Sequence, residues 1–559
     1  MGTRHMSRGF TQYLKTGFTL LDAARHDAAS SAFRQATVLA PGETIALYGV
    51  GFTALRRENW KASARVLGWA SVAARQDTTP RVITEVHLAR GISLRSGGFA
   101  ENATNCFRRA ALMEPHNPGV HANHARGHAR GHAMGHAREL DASARARMAG
   151  WATIAAPGSA DYWNGLGLAR VDAGDPSGAA KAYRHALVLA PDHPHGWNNL
   201  AILHKRGDKT GRAVLEFARA RVLNPGDVEI LLNLGRNLLL TGDLVRGWEC
   251  LEAPWRWSGL RPRGGGFALP IWNGQPLPEG RLLLWSEEKI GEELMFSTLL
   301  EDVARLARAP VTVLCNPRIA DLLSLALPEF DIRGWDLVAP PPTRVADHVA
   351  CYPLEFVGRF VRRAFSDFPA PRPILKRRSP PSEQRRGGVP RVGIHWRSVN
   401  PFVGEEKSTS LVDWEPVLSV PNIEFISLQY GPVTAEISDA RQRFGQAPTI
   451  PAGIDQLTDM HAFTELVAGL DLVICVSSTS AHVAGSLGLP CWVLLPRGAG
   501  LSWFWFEERG DSPWYPGCRL YRQDAVGKWD SVLERVARDL ATWSDGGRRD
   551  TDRPATNRG

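Results

Sequence analysis

Long apolar runs are missing from this 559-residue chain: no segment reaches the roughly 18 consecutive apolar residues that suggest a membrane span. The first residues, MGTRHMSRGFTQYLK, also lack the apolar stretch of a secretory leader. Paired cysteines are missing too. Cys106, Cys250, Cys315, Cys351, Cys475, Cys491 and Cys518 contain no C-x-x-C pair, and their odd total argues against a disulfide framework or structural zinc. The reading is a reducing, cytoplasmic protein that is soluble or at most peripheral to a membrane. Acid is slightly scarce: 66 Lys+Arg against 57 Asp+Glu leave a net charge of +9, which favours acidic partners without naming one. What is present is enough apolar residue, 44%, for sizeable cores, and enough length for about three to four average domains.

Self-similarity organises the first half. Leu166, Leu200 and Leu234 are spaced by 34, as are Trp163 and Trp197, Ala186 and Ala220, and Pro191 and Pro225. Each unit reads as a helix, a Gly-Asp turn (Gly174-Asp175, Gly207-Asp208, Gly242-Asp243), a second helix and a terminating Pro. This resembles the tetratricopeptide repeat, whose helix-turn-helix unit buries its apolar face only against its neighbours. Earlier units are looser, so an α-helical superhelix of about six or seven repeats is expected over 10–255. Asn199 and Asn233 recur at one place in successive units, where the preceding unit has Gly165. In tetratricopeptide glycosyltransferases similar Asn ladders hold peptide backbone, which an amide suits because it both donates and accepts. The alternative is that these Asn satisfy turns or face solvent.

One stretch breaks the period. His124, His128, His132 and His136 recur every four residues, which on a helix would stack imidazoles in one stripe. Such a stripe could hold a soft metal, but Gly127, Gly131 and Gly135 weaken the helix it would need, and the preferred reading is a slipped tetrapeptide duplication.

From 256 the character changes. A Gly/Pro-rich connector (256–280) leads to strand-length apolar runs alternating with helical patterns: 282–285, a helix over 292–306, VTVLC, a strand near Val338, then the helix LEFVGRFVRRAF. A basic, Pro-rich linker (369–390) separates a second alternation over 391–543, with strands RVGIHW, NIEFISLQYG, DLVICVSS and CWVLLP. The expected fold is two Rossmann-like α/β halves, 281–368 and 391–543, with ligands at the carboxyl ends of their strands. The tail, 544–559, reads as disordered.

The strongest chemical signal is DLVICVSSTSAHVAGSLGLPCWVLLP. A buried strand ends in Ser477, Ser478, Thr479 and Ser480 and opens at once into a helix carrying His482, an arrangement that presents hydroxyls and free N–H groups to an anion. This segment is similar to the donor site of heptosyltransferase-like, family 9 glycosyltransferases, especially bacterial proteins that fuse tetratricopeptide repeats to such a domain. LLLWSEEKIGEELMF, VGIHWRS, EKSTSLVDWEPVL, FISLQYG and DSPWYPGCRLYRQ follow the same pattern in order. The resemblance implies a GT-B fold and inverting, metal-independent sugar transfer from a nucleotide donor, with no cofactor. Asp550 and Asp552 form a D-x-D in the tail that reads as accidental.

The resemblance assigns roles residue by residue. Gly291-Glu292 stands where the family has Gly-Asp, so Glu292 inherits the role of catalytic base. Ser477 stands where many relatives carry Asp. Lys407 aligns with a cation on the donor phosphates and would do a metal's work there. His395 and Arg397 follow a strand at the cleft edge, His395 as a catalytic or orienting group and Arg397 on the donor. Gln429 and Tyr430 would border the nucleotide base. Trp503, Phe504, Trp505, Trp514 and Tyr515 read as packing rather than sugar stacking.

The function that follows is protein O-glycosylation: a polypeptide held by the repeats receives a sugar on Ser or Thr, with flagellin the first acceptor by analogy. The rivals are a lipopolysaccharide-core glycosyltransferase and a non-catalytic scaffold whose base has degenerated. Nucleic acid is not expected, because the basic residues cluster in the 376–386 linker and the tail without an aromatic-interleaved surface.

Overall fold

The computed structural model describes residues 8–74, 78–114, 117, 119–120, 123, 142–257, 267, 269–336, 347–376, 388–400 and 403–544. The histidine run, the strand expected near Val338, residues 377–387 of the basic linker and the Asp550/Asp552 pair lie outside them. The chain forms two compact units, Met1–Leu200 and Ala201–Gly559. Among the described residues no helix is long and apolar enough to cross a membrane.

The first unit is a helical repeat array. Helices Arg8–Asp22, Thr44–Arg56, Pro80–Ser96 and Ala160–Asp172 each pack on the helix that follows, respectively His26–Leu39, Trp60–Ala73, Ala100–Met113 and Pro176–Leu189. Between the two helices of a pair one residue takes a left-handed backbone: Ala24 (φ 56°), Glu58 (φ 56°), Gly98 (φ 86°) or Gly174 (φ 71°). Only two of these are glycine, so the turn is imposed on Ala24 and Glu58 at a strain of about 1–2 kcal/mol each.

A size rule closes each pair. A Cβ on Gly91 would lie 2.5 Å from the Phe107 ring, and one on Gly167 only 2.3 Å from the Tyr183 ring, both 16 residues downstream. The same separation sets Gly17 against Phe33 and Gly51 against Leu67. A small residue on the first helix thus admits a large one from the second, and the helix axes approach closely.

The first unit also holds the helix Ala142–Ala155, and the second opens within the helix Pro194–Arg206 and continues with the repeat helices Thr210–Leu223, Val228–Leu240 and Leu244–Trp257. Their turns keep the left-handed residue at Asp208 (φ 59°) and Gly242 (φ 89°). Gly207, which the Gly-Asp pattern singles out, is therefore one position too early. Trp248 anchors the last repeat helix: it is 1% exposed, its Nε1 donates to the Arg362 carbonyl at 3.0 Å, and its ring fills the space a Gly358 side chain would need. Buried Glu252 on the same helix pairs with Arg359 and accepts from the Tyr352 hydroxyl.

Two parallel sheets follow. β1 (Arg281–Trp285), β2 (Val311–Cys315), β3 (Asp331–Gly334) and β4 (His348–Pro353) lie in the order β3-β2-β1-β4. β5 (Arg391–His395), β6 (Glu424–Ser427), β7 (Leu472–Val476), β8 (Cys491–Leu495) and β9 (Cys518–Arg522) lie in the order β6-β5-β7-β8-β9. β2, β7 and β8 are buried along their whole length, as strands covered on both faces must be. The helix expected over 292–306 is two, Ile290–Ser297 and Leu300–Ala307, and LEFVGRFVRRAF holds only the short turns Leu354–Phe356 and Gly358–Val361. The strand order reverses between β1 and β4 in one sheet and between β5 and β7 in the other, and such switch points leave crevices beyond the carboxyl ends of those strands.

The size rule gives a paired test. Gly165 has open space around its Cβ position, so Gly165→Ala stabilises the chain by about 0.5–1 kcal/mol through helix propensity. At Gly167 the Tyr183 ring reverses the sign, and Gly167→Ala destabilises by about 1–3 kcal/mol. Denaturant unfolding followed by circular dichroism checks both; equal effects at the two sites would contradict the rule.

Candidate functional site

The loops after the switch-point strands carry the titratable side chains. β1 is followed by Ser286, Glu287, Glu288 and Lys289 and then by the helix Ile290–Ser297 with Gly291, Glu292 and Glu293. β4 is followed by Glu355. β5 leads into Trp396 and Arg397, and β7 into Ser477, Ser478 and the helix Thr479–Ser486.

The two helices meet. Gly291 is backbone against the His482 ring, and a Cβ on it would lie 2.6 Å from His482 Cδ2. The next residue, Glu292, is half-buried, and its carboxylate favours the charged forms of both His482 and Lys407. Lys407 opposes charge on His482, so the three groups share one electrostatic neighbourhood. Burial dominates it: the His482 pKa falls to about 4 and that of Lys407 drops below its ordinary value. Lys407 Nζ donates to Ser502 Oγ at 3.1 Å. His482 Nδ1 lies 2.9 Å from the Tyr515 hydroxyl, with the Trp505 ring stacked on the imidazole at 5.6 Å.

A carboxylate cluster backs Glu292. Burial, then the hydrogen bond and charge of Glu292, push Glu288 up to about 9, with Arg236 of a repeat helix opposing. Burial and then Glu287, Glu293 and Glu292 push Glu355 up to about 8. Burial holds Glu293 at about 7 although its carboxylate accepts from the Asn316 N–H at 3.1 Å. Burial and the neighbouring Glu292 thus both favour the protonated form of Glu288. Among the described residues no group of three or more His, Cys, Asp or Glu is arranged to hold a metal ion, and all seven cysteines are free and buried.

Several of the other expected residues are engaged inside the fold. His395 Nε2 donates to the Arg397 carbonyl at 3.0 Å, which leaves Nδ1 to accept from Ser480 Oγ at 2.8 Å. Burial lowers the His395 pKa to about 4, in keeping with that neutral tautomer. Arg397 forms an ion pair with Glu436 at 3.0 Å. Gln429 Oε1 accepts from the backbone N–H of Trp396 and Arg397, so it clamps the end of β5. Ser477 Oγ accepts from Trp505 Nε1 at 2.9 Å. Ser478 Oγ is buried without a partner, and Thr479 is half-buried at the first helical position. Phe504, Trp505, Trp514 and Tyr515 are all less than 5% exposed and are packing residues. In the first unit Asn199 Nδ2 donates to Asn164 Oδ1 at 2.9 Å, so Asn164 rather than Gly165 continues the amide row. Asn233 sits half-buried on Val228–Leu240.

Sequence reasoning did not single out Glu288, Glu355 or Ser502 as site residues. Glu288 stood in view in the SEEKIGEE run, and Glu355 becomes visible once HVACYP is read as a strand. Ser502 has no local signal.

Residues 137–194 match the tetratricopeptide repeat family. The chain is similar to Protein FlbA of Caulobacter vibrioides, 29% identical over 411 residues, which covers 69% of this chain and 67% of that protein. That share exceeds the whole repeat array, so the similarity includes strand-bearing residues. A solved tetratricopeptide repeat protein from Parabacteroides merdae covers 46% of this chain and 95% of its own, at 10% identity and a TM-score of 0.38. The APC/C hetero-tetramer Cut9-Hcn1 matches with 14% identity and a TM-score of 0.35 over 41% of this chain, which spans 42% of that one.

The raised carboxyls make stability depend on pH. Glu288 is protonated in the fold well above the usual carboxylate range, so its favourable form is fully present below about pH 4.5 and is lost as pH rises toward about 9. The lowered histidines act oppositely, losing stability as pH falls from about 6.5 toward 4. Glu288→Gln isolates the first effect: it melts above the parent chain at pH 9, and the gap closes by pH 5. A gap independent of pH in scanning calorimetry would rule the burial of this carboxyl out as its cause.

Proposed function

We propose that the chain is a glycosyltransferase of GT-B type that moves a sugar from a nucleotide donor to a polypeptide hydroxyl. The observation that carries this reading is the meeting of Gly291-Glu292 with His482 and Lys407, which puts a carboxylate from one switch point beside a cation and a hydroxyl-rich helix start from the other. The donor phosphate occupies the start of the Thr479–Ser486 helix, where the N–H groups and the unpartnered Ser478 hydroxyl supply donors. Lys407 neutralises the leaving phosphate.

The acceptor hydroxyl oxygen attacks the anomeric carbon on the face opposite the nucleotide. The bond from that carbon to the phosphate oxygen breaks, its electron pair leaves with the nucleoside phosphate, and the hydroxyl proton passes to the Glu292 carboxylate. Glu288 donates its hydrogen bond to Glu292 and fixes the direction of that carboxylate. His395 and Gln429 act behind the surface by holding the end of β5. The repeats hold the polypeptide, and the Asn164–Asn199 amide row supports backbone binding without side-chain readout.

The test is incubation with ADP-, UDP-, GDP- and CMP-linked sugars and a polypeptide acceptor, flagellin first, followed by intact mass. A mass increase of one glycosyl unit is expected, and no increase across the panel would overturn the reading. Once a donor is found, Glu292→Gln should slow transfer by about 100-fold or more while nucleotide-dependent thermal stabilisation persists. Lys407→Met should weaken that stabilisation as well.

A further inference from the structure

Residues 496–509 form a strap with two sets of contacts. Toward the repeat helices, Arg497 Nη1 pairs with Asp208 Oδ2 at 2.8 Å, and Glu507 accepts from Thr210 Oγ1 at 2.5 Å. The Glu507 N–H donates to the Leu240 carbonyl at 2.9 Å. Gly498, at φ +75°, runs so close to the repeats that a Cβ there would lie 2.6 Å from the Arg206 carbonyl oxygen. Toward the candidate site, Ser502 accepts from Lys407, Trp505 donates to Ser477, and the Phe504 and Trp505 rings enclose His482 at 5.2 and 5.6 Å.

The seam at the strap's charged ends is not packed solid. A pocket of about 520 Å³ opens there, lined by Asp208, Thr210, Arg212, Arg497, Glu507 and Arg522 among others. The ties from Asp208 and Thr210 are thus polar contacts beside open space, whereas the middle of the strap packs on the last repeat helix through Trp503, whose ring lies 5.2 Å from that of Trp248. Neither residue touches Lys407, Ser477 or His482 in any described contact.

We propose that Asp208 and Thr210 are positioning residues for the donor-phosphate groups: through the strap they fix where Ser502 and Trp505 hold Lys407 and Ser477. This rests on the reading of that site as a donor site, and it makes the repeat array part of the donor-binding machinery. Movement of the repeat helices on engaging a polypeptide then reaches Lys407 along a covalent segment of about a dozen residues.

The test is amide hydrogen exchange by mass spectrometry on the full chain without nucleotide. Asp208→Asn keeps shape and removes charge at a left-handed position that Asn tolerates, and Thr210→Val removes only the hydroxyl. Both should speed exchange about tenfold in residues 403–410 and 475–486 and leave the helices of residues 160–189 unchanged, whereas Thr210→Ser, which keeps the hydroxyl, should exchange at the parent rate. Glu507→Gln, on the strap side, should act as Asp208→Asn does. Unchanged exchange in 403–410 and 475–486, or an equal rise in every peptide, would overturn the proposal. Adding UDP, ADP, GDP or CMP to the parent chain separates the two readings: failure of all four to protect 475–486 counts against the donor site, whereas the strap stands or falls on the nucleotide-free data.

Discussion

The close approach at Gly291 is the constraint on which the site depends. The helix after β1 and the helix after β7 touch where a single Cβ would sit 2.6 Å from the His482 ring. His482 has little room to retreat, because Trp505 stacks on it while Phe504 and Tyr515 meet it edge-on. A residue with a side chain at 291 would have to part the two helices, since interiors packed at crystal density do not deform cheaply. Absence of a side chain at one position thus sets the distance between two sheets' worth of chemistry, and Glu292 owes its proximity to Lys407 and His482 to being the next residue.

That proximity explains the unusual charge inventory. Several carboxyls crowd the end of β1 and β4 with few cations in reach, and in a poorly solvated crevice like charges cannot all ionise. The outcome is a division of labour: Glu288 and Glu355 retain protons to well above the usual carboxylate range, and Glu288 is favoured as the donor to Glu292. On the facing side burial discourages positive charge on Lys407 and His482. An anion placed beside them would oppose that effect by favouring charged Lys407.

Much of this was legible in the sequence, for identifiable reasons. The 34-residue period survives because each repeat must bury the same face, and the strands 282–285, VTVLC, DLVICVSS and CWVLLP declare themselves because burial on both faces makes them continuously apolar. β9, CRLYR, escaped because it lies at the sheet edge with Arg519 exposed, and β4 because HVACYP begins with exposed or half-exposed residues. Residues at strand ends were found as site candidates, yet their individual roles depend on tertiary partners. His395 and Gln429 look alike from sequence as cleft-edge groups, and only the positions of Ser480 and the β5 backbone turn them inward. Ser502 meets Lys407 across 95 residues, a separation that no local pattern encodes.

The arrangement also bears on why repeats and sheets share a compact unit that begins at Ala201. An array joined only by a flexible connector would raise the local concentration of a bound polypeptide but leave the chemistry untouched. Here the last repeat helix is instead locked into the core by Trp248 and Glu252, which fixes one end of the array. The helix that precedes it by two is tied through the more yielding polar contacts of Asp208 and Thr210. The strap meets both, since Trp503 packs on Trp248 while Arg497 and Glu507 take the polar ties, and the same strap carries the hydroxyl that holds Lys407.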